Sequence, residues 1–88
     1  MAAPTVEIYT KWGCPYCVAA KQLLDGKGVA YIEHDITMGG PKRTEMLERV
    51  PAARTVPQVL IDGKPYGGFD DVSALDRAGK LDVLLGLG

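Results

Sequence analysis

Nothing in this chain approaches the roughly 18 consecutive apolar residues of a membrane-spanning helix, so a buried transmembrane segment is not expected. Charge of one sign is also missing. Ten basic residues stand against eleven acidic ones, a formal net charge of −1, and this gives no overall electrostatic footprint for nucleic acid or for an anionic membrane surface. Histidine occurs once and cysteine twice, too few for the four ligands of a structural zinc site, and no metal is expected. There is no internal repeat, linker or low-complexity stretch. Met1-Ala2-Ala3-Pro4 has neither the basic flank nor the apolar run of an export signal. The expected setting is therefore a reducing cytoplasm, where a close cysteine pair is more often catalytic than structural. At 88 residues the chain is expected to form one small domain, residues 1–88, around one core.

What is present is organised around Cys14-Pro15-Tyr16-Cys17. Two cysteines one helical turn apart suit a disulfide, whose Cα atoms lie roughly 4.4–6.8 Å apart. The residues before the pair, Thr5 to Thr10, alternate Val6 and Ile8 with Glu7 and Tyr9 and read as a strand. Those after it, from Pro15 to about Asp25, read as a helix with Ala20, Leu23 and Leu24 on its buried side. Pro15 then takes the first helical position, where a missing N–H costs nothing, and Cys14 falls at or near the N-cap. Unpaired N–H groups and the positive end of the helix dipole favour a thiolate there, and Lys11 adds a positive charge upstream. Cys14 is the expected nucleophile and Cys17 the resolving thiol. A half zinc site, a static disulfide and a pair of inert buried thiols are the competing readings; too few ligands count against the first, the redox-motif spacing and the lack of an export signal against the second, and the helix-start placement against the third.

Further along, Val29 to Ile36 reads as a second strand, with Val29, Tyr31 and Glu33 on one face and Ala30, Ile32 and His34 on the other. Strand, helix and strand within some thirty residues make a βαβ unit with parallel strands. His34 lacks a motif partner and reads as a strand-end surface or hydrogen-bonded residue, not a base. Pro41 opens a second helix through Val50, with Met46, Leu47 and Val50 buried, and Lys42, Glu45, Glu48 and Arg49 as a solvated face. Pro51 ends it. Gln58 to Ile61 is a third strand, Asp62-Gly63 a two-residue hairpin turn, and Lys64-Pro65-Tyr66 a short strand that Pro65 assigns to an edge. Asp70-Asp71 start a third helix, with Val72 and Leu75 facing inward, and Leu81, Leu84 and Leu85 form a last apolar face. The order is β-α-β-α-β-β-α plus a short C-terminal helix, an α/β fold in which a four-stranded mixed sheet is flanked by helices on both faces.

With Cys14-Pro15-Tyr16-Cys17, Thr55-Val56-Pro57 and Gly67-Gly68-Phe69-Asp70-Asp71 in this sequence order, the chain resembles a dithiol glutaredoxin of the short bacterial type from about Thr5 to Leu85. The resemblance implies the thioredoxin fold, which agrees with the element order, and a cis bond before Pro57. It implies glutathione-dependent thiol–disulfide exchange at Cys14 and Cys17, with glutathione as cosubstrate and no bound cofactor. It also implies a glutathione site made of Lys11, Tyr16, Thr55, Val56, Pro57, Gly68, Phe69, Asp70 and Asp71. Lys11 would take the glycine carboxylate, and the Val56 backbone would pair with the cysteine of the tripeptide. The N–H groups of Phe69 and Asp70 suit the γ-glutamyl carboxylate, and Asp71 its ammonium. Gln58 is a weaker candidate for the glycine end and Arg43 weaker still. The implied protein partners are glutathionylated or disulfide-containing proteins, ribonucleotide reductase among them, and the implied state is a monomer. Gly13 and Phe69 stand where many relatives carry a larger and a smaller residue respectively, which bears on substrate preference. Trp12 reads equally as a substrate-facing ring or a packing lid. Two rivals share the same cysteines: a thioredoxin-like hydrogen donor reduced by a flavoenzyme, and a glutathione-ligated iron–sulfur carrier. Pro15 and the second cysteine count against the carrier.

Overall fold

The computed structural model describes residues 3–88; the first two residues of the opening Met1-Ala2-Ala3-Pro4 lie outside it. Strand β1 (Val6–Thr10) is followed by α1 (Pro15–Gly26), β2 (Ile32–Asp35), α2 (Gly40–Arg49), β3 (Gln58–Ile61), β4 (Lys64–Gly67), α3 (Phe69–Arg77) and α4 (Leu81–Leu84). The strand order is β2-β1-β3-β4. β1 runs parallel to β2, with Glu7 opposite Ile32 and Thr10 opposite Asp35. It runs antiparallel to β3, with Val6 opposite Ile61, and β3 pairs antiparallel with β4. Asp62 at φ 51° and Gly63 at φ 79° form the hairpin turn whose two positive φ values match the strand twist.

The period-two pattern of β1 and β3 sorts the core into two layers. Val6, Ile8, Val59 and Ile61 face Ala20 and Leu24 of α1, Val72 of α3, and Leu81 and Leu85 at the C-terminal end. Tyr9 and Leu60 face the other way, onto Met46 of α2 and Ile36. Helices therefore cover both faces of the sheet. Lys27, just past α1, draws the C-terminal elements in, its Nζ lying 2.6 Å from Asp76 and 2.8 Å from Asp82.

Two expectations are corrected. The second strand covers Ile32–Asp35, not Val29 to Ile36, because β1 offers pairing partners only from Glu7 to Thr10. Val29 and Tyr31 still pack against the first core layer as the connection into the strand. The charges of α2 are not all a solvated face. Arg49 reaches under the sheet, its Nη2 2.6 Å from Glu7 Oε2 and its Nη1 2.9 Å from the Tyr9 hydroxyl, and the Tyr9 hydroxyl donates to Glu45. His34 closes the cluster. It is buried, stacks on Tyr9 with ring centroids 4.7 Å apart, and its Nε2 lies 3.1 Å from Glu7 Oε1. Glu7 points inward from a central strand and needs a counter-charge in a low-dielectric layer; α2 supplies it. The Arg49 guanidinium beside Glu7 holds its carboxyl down at about 2, against the opposing effect of burial.

Candidate active site

The β1–α1 junction builds the reactive end of the molecule. Gly13, at φ +76°, turns the chain sharply out of the strand in a conformation that a side chain would disfavour. Cys14 follows in an extended conformation as the N-cap of α1, with Pro15 in the first turn. Its Sγ accepts the Cys17 N–H at 3.3 Å, so one orphan donor of the helix start is spent on sulfur. Cys14 Sγ also lies 3.8 Å from the Val56 carbonyl oxygen, at the loop that enters β3 through a cis Val56–Pro57 bond.

The two thiols differ in access. Cys14 is partly exposed, whereas Cys17 is buried at 2% exposure. Burial, reinforced by the neighbouring Cys14 sulfur, pushes the Cys17 thiol up to about 11. Cys17 therefore remains protonated at neutral pH. An external disulfide meets Cys14 first.

Two clefts adjoin at Ala53, Thr55 and Val56, which line both, and Cys14 lines the first. One, of about 680 Å³, contains Lys11, Trp12, Cys14, Arg43, Thr55 and Val56. The other, of about 550 Å³, contains Tyr16, Thr55, Val56, Pro57 and the run from Gly67 to Asp71. All the expected site residues except Cys17 thus line one cleft or the other, with Lys11 and the Asp70-Asp71 pair on opposite sides of Val56. At the start of α3 the first N–H groups have no intrahelical acceptor, and those of Phe69 and Asp70 are among them. Asp71 folds back so that its Oδ2 accepts the Gly68 N–H at 3.2 Å. This close approach requires Gly67, where a Cβ would sit 2.2 Å from Asp71 Oδ2 and φ is +98°. Tyr16, largely exposed, lies near Phe69, with 6.5 Å between ring centroids.

Gln58 is buried, lines the second cleft, and its amide donates to the Thr55 carbonyl at 2.8 Å, which ties down the loop before β3. Arg43 lines the first cleft with Lys11. Trp12 is 84% exposed, which excludes the packing lid. Its backbone N–H donates to Thr37 Oγ1 at 2.7 Å, and Thr37 is held in turn by Asp35. Thr37, Met38 and Arg54 were not singled out by sequence reasoning, although all three line the first cleft. Asp35 followed two residues later by Thr37 is the one local signal that could have indicated an ordered turn.

Residues 6–66 match the family model described as Glutaredoxin. The chain is 52% identical over 80 residues to Glutaredoxin 3 of Escherichia coli, covering 91% of this chain and 95% of that protein. It is 50% identical over 82 residues to the glutaredoxin of Pseudomonas aeruginosa, covering 93% and 96%. The solution structure of glutaredoxin from Brucella melitensis superimposes with a TM-score of 0.83 at 44% identity, covering 100% of this chain and 95% of that one. The crystal structure of a buckwheat glutaredoxin–glutathione complex gives a TM-score of 0.83 at 31% identity, covering 94% and 77%.

Proposed function

The chain belongs to the glutaredoxin family and is a thiol–disulfide oxidoreductase of thioredoxin fold; from this we propose that it reduces protein–glutathione mixed disulfides and protein disulfides at the expense of glutathione. The observation that carries the reading is the position of Cys14. It is the partly exposed N-cap thiol of α1, 3.8 Å from the Val56 carbonyl, where a cleft with cations meets a cleft with acids. Glutathione has carboxylates at both ends, an ammonium at one, and a cysteine between. Lys11 suits the glycine carboxylate, and the Val56 backbone suits the central cysteine as an added strand would. The N–H groups of Phe69 and Asp70 suit the γ-glutamyl carboxylate, and the Asp71 carboxylate suits the ammonium. Tyr16, Thr55, Pro57 and Gly68 complete the walls. The glutathione bound in the buckwheat relative supports the assignment by family.

In the reaction, the Cys14 thiolate attacks the glutathione sulfur of a mixed disulfide. The bond between glutathione and the protein sulfur breaks, and the protein leaves as a thiolate that takes a proton. A second glutathione, as thiolate, attacks the Cys14–glutathione bond, restores Cys14 and leaves as glutathione disulfide. For a protein disulfide, Cys14 forms the mixed disulfide with one protein sulfur. Cys17 then loses its proton, attacks Cys14, and expels the protein in its dithiol form. Two glutathiones reduce the Cys14–Cys17 bond. The chain acts as a monomer in this scheme, in the cytoplasm.

The test is turnover of the mixed disulfide between glutathione and 2-mercaptoethanol, with glutathione reductase and NADPH consumption as readout. Wild type and Cys17→Ser are expected to turn over, and Cys14→Ser is not. Failure of wild type, together with rapid reduction by a thioredoxin reductase, would overturn glutathione dependence.

A further inference from the structure

The first cleft is larger and more one-sided in charge than the glycine end of a tripeptide requires. It is about 680 Å³, and its charged lining residues are Lys11, Arg43 and Arg54, with no acid among them. None of the three is in an ion pair among the described residues. This concentration of cations sits in a chain whose net charge is −1, so it is local to the cleft. Two large apolar side chains stand open at the same place, Trp12 at 84% and Met38 at 94% exposure. Isolated exposed apolar residues need no explanation, but two together on the wall that holds the nucleophile have the composition of a recognition surface. The surface is also ordered before binding. The Trp12 backbone is clipped to Thr37, which is fixed by Asp35, so the two loops carrying Trp12 and Met38 are joined.

Resting on the reading of Cys14 as the nucleophile of a glutathione-dependent enzyme, we propose that this face docks the protein half of the substrate. It selects segments whose cysteine is flanked by acidic and apolar residues. Lys11 is occupied by glutathione in that reading, which leaves Arg43 and Arg54 for the acidic side chains and Trp12 and Met38 for the apolar ones. The occupant is a protein segment because its sulfur, bonded to the glutathione sulfur that Cys14 attacks, must leave along the wall that carries Cys14. The opposite sign of the second cleft, which holds Asp70 and Asp71, repels such a segment and orients it across the first.

The test uses two synthetic peptides with one glutathionylated cysteine each, flanked in one by Glu and Leu and in the other by Lys and Ser. Their kcat/KM values are measured with the coupled NADPH assay at low and high salt. The acidic–apolar peptide is expected to be favoured about tenfold at low salt, the combined effect of two exposed charge pairs and an apolar contact, with the preference shrinking as salt rises. Trp12→Ala with Arg54→Ala is expected to reduce the preference to about threefold or less while turnover of the glutathione–mercaptoethanol disulfide stays within about twofold of wild type. Equal kcat/KM for the two peptides with wild type would overturn the proposal, as would a preference that the double variant keeps. Failure of the underlying glutathione reading is seen separately, as absence of wild-type turnover on the small disulfide.

Discussion

Replacing Arg49 by methionine tests the polar cluster beneath the sheet. Glu7 has its side chain only 14% exposed and accepts both guanidinium arms. Its carboxyl is held at about 2 instead of the ordinary 4.5, a difference that corresponds to ~3 kcal/mol of folding stability. The folded-state value is the lower of the two. The contribution is therefore complete above pH 4.5 and is lost as pH falls toward 2. Arg49→Met strands a buried carboxylate, and at pH 7 it is expected to cost about 3 kcal/mol, within the range for breaking one side of a buried ion pair. In a domain of this size that lowers Tm by roughly 10–20 °C. Urea denaturation of both proteins at pH 7 and pH 3 measures it, with an unchanged m-value required. The difference should contract to about 1 kcal/mol at pH 3, where most of the Glu7 contribution is already gone from the wild type. Adding Glu7→Leu to Arg49→Met should recover stability at pH 7, because the stranded charge is removed. A difference below about 1 kcal/mol at pH 7, or one of equal size at both pH values, would refute the argument.

Cys17, buried and raised to about 11, should resist iodoacetamide at pH 8 in the native protein, while Cys14 is alkylated; peptide mass spectrometry before and after unfolding checks this. Asp71→Ala should raise KM for glutathionylated substrate with little change in kcat, and should cost about 1 kcal/mol of stability through loss of its bond to the Gly68 N–H. Steady-state kinetics beside a thermal melt separate the two effects. Gly13→Thr meets open space but a φ of +76°, so its cost should be backbone strain of about 1–2 kcal/mol. A melt unchanged from wild type would mean that the turn relaxes to negative φ.

The elements whose identity depends on neighbours in the chain were legible in advance. Alternation marked β1, Asp62-Gly63 marked the hairpin, and Pro15 after Cys14 marked the start of α1 together with its cap. The residues expected to bind glutathione were named through motifs separated along the chain, and the fold brings them onto two clefts that share Thr55 and Val56. The extent of β2 was not legible, because a strand ends where its partner ends and that partner is β1. Arg49 and Glu45 were misread because helical periodicity assigns a face without saying what lies opposite. The missing partner was Glu7, whose place in the alternation puts it on the same inward face as Tyr9, and that parity was the available clue. Arg54 and Met38 belong to loops with no period at all, and only the folded chain brings them to the wall that carries Trp12.

The burial of Cys17 also fixes how many covalent bonds one molecule can make to others. A foreign sulfur finds one attachment point, Cys14; the second thiol is open only to its neighbour at the other end of the same helical turn. The chain thus has a valence of one toward other proteins although it carries two cysteines. Two molecules could join through their Cys14 residues, but a third could not be added, and oxidation of a concentrated solution stops at pairs or internal bridges instead of growing a disulfide-linked polymer. A molecule with both thiols at the surface would have no such limit.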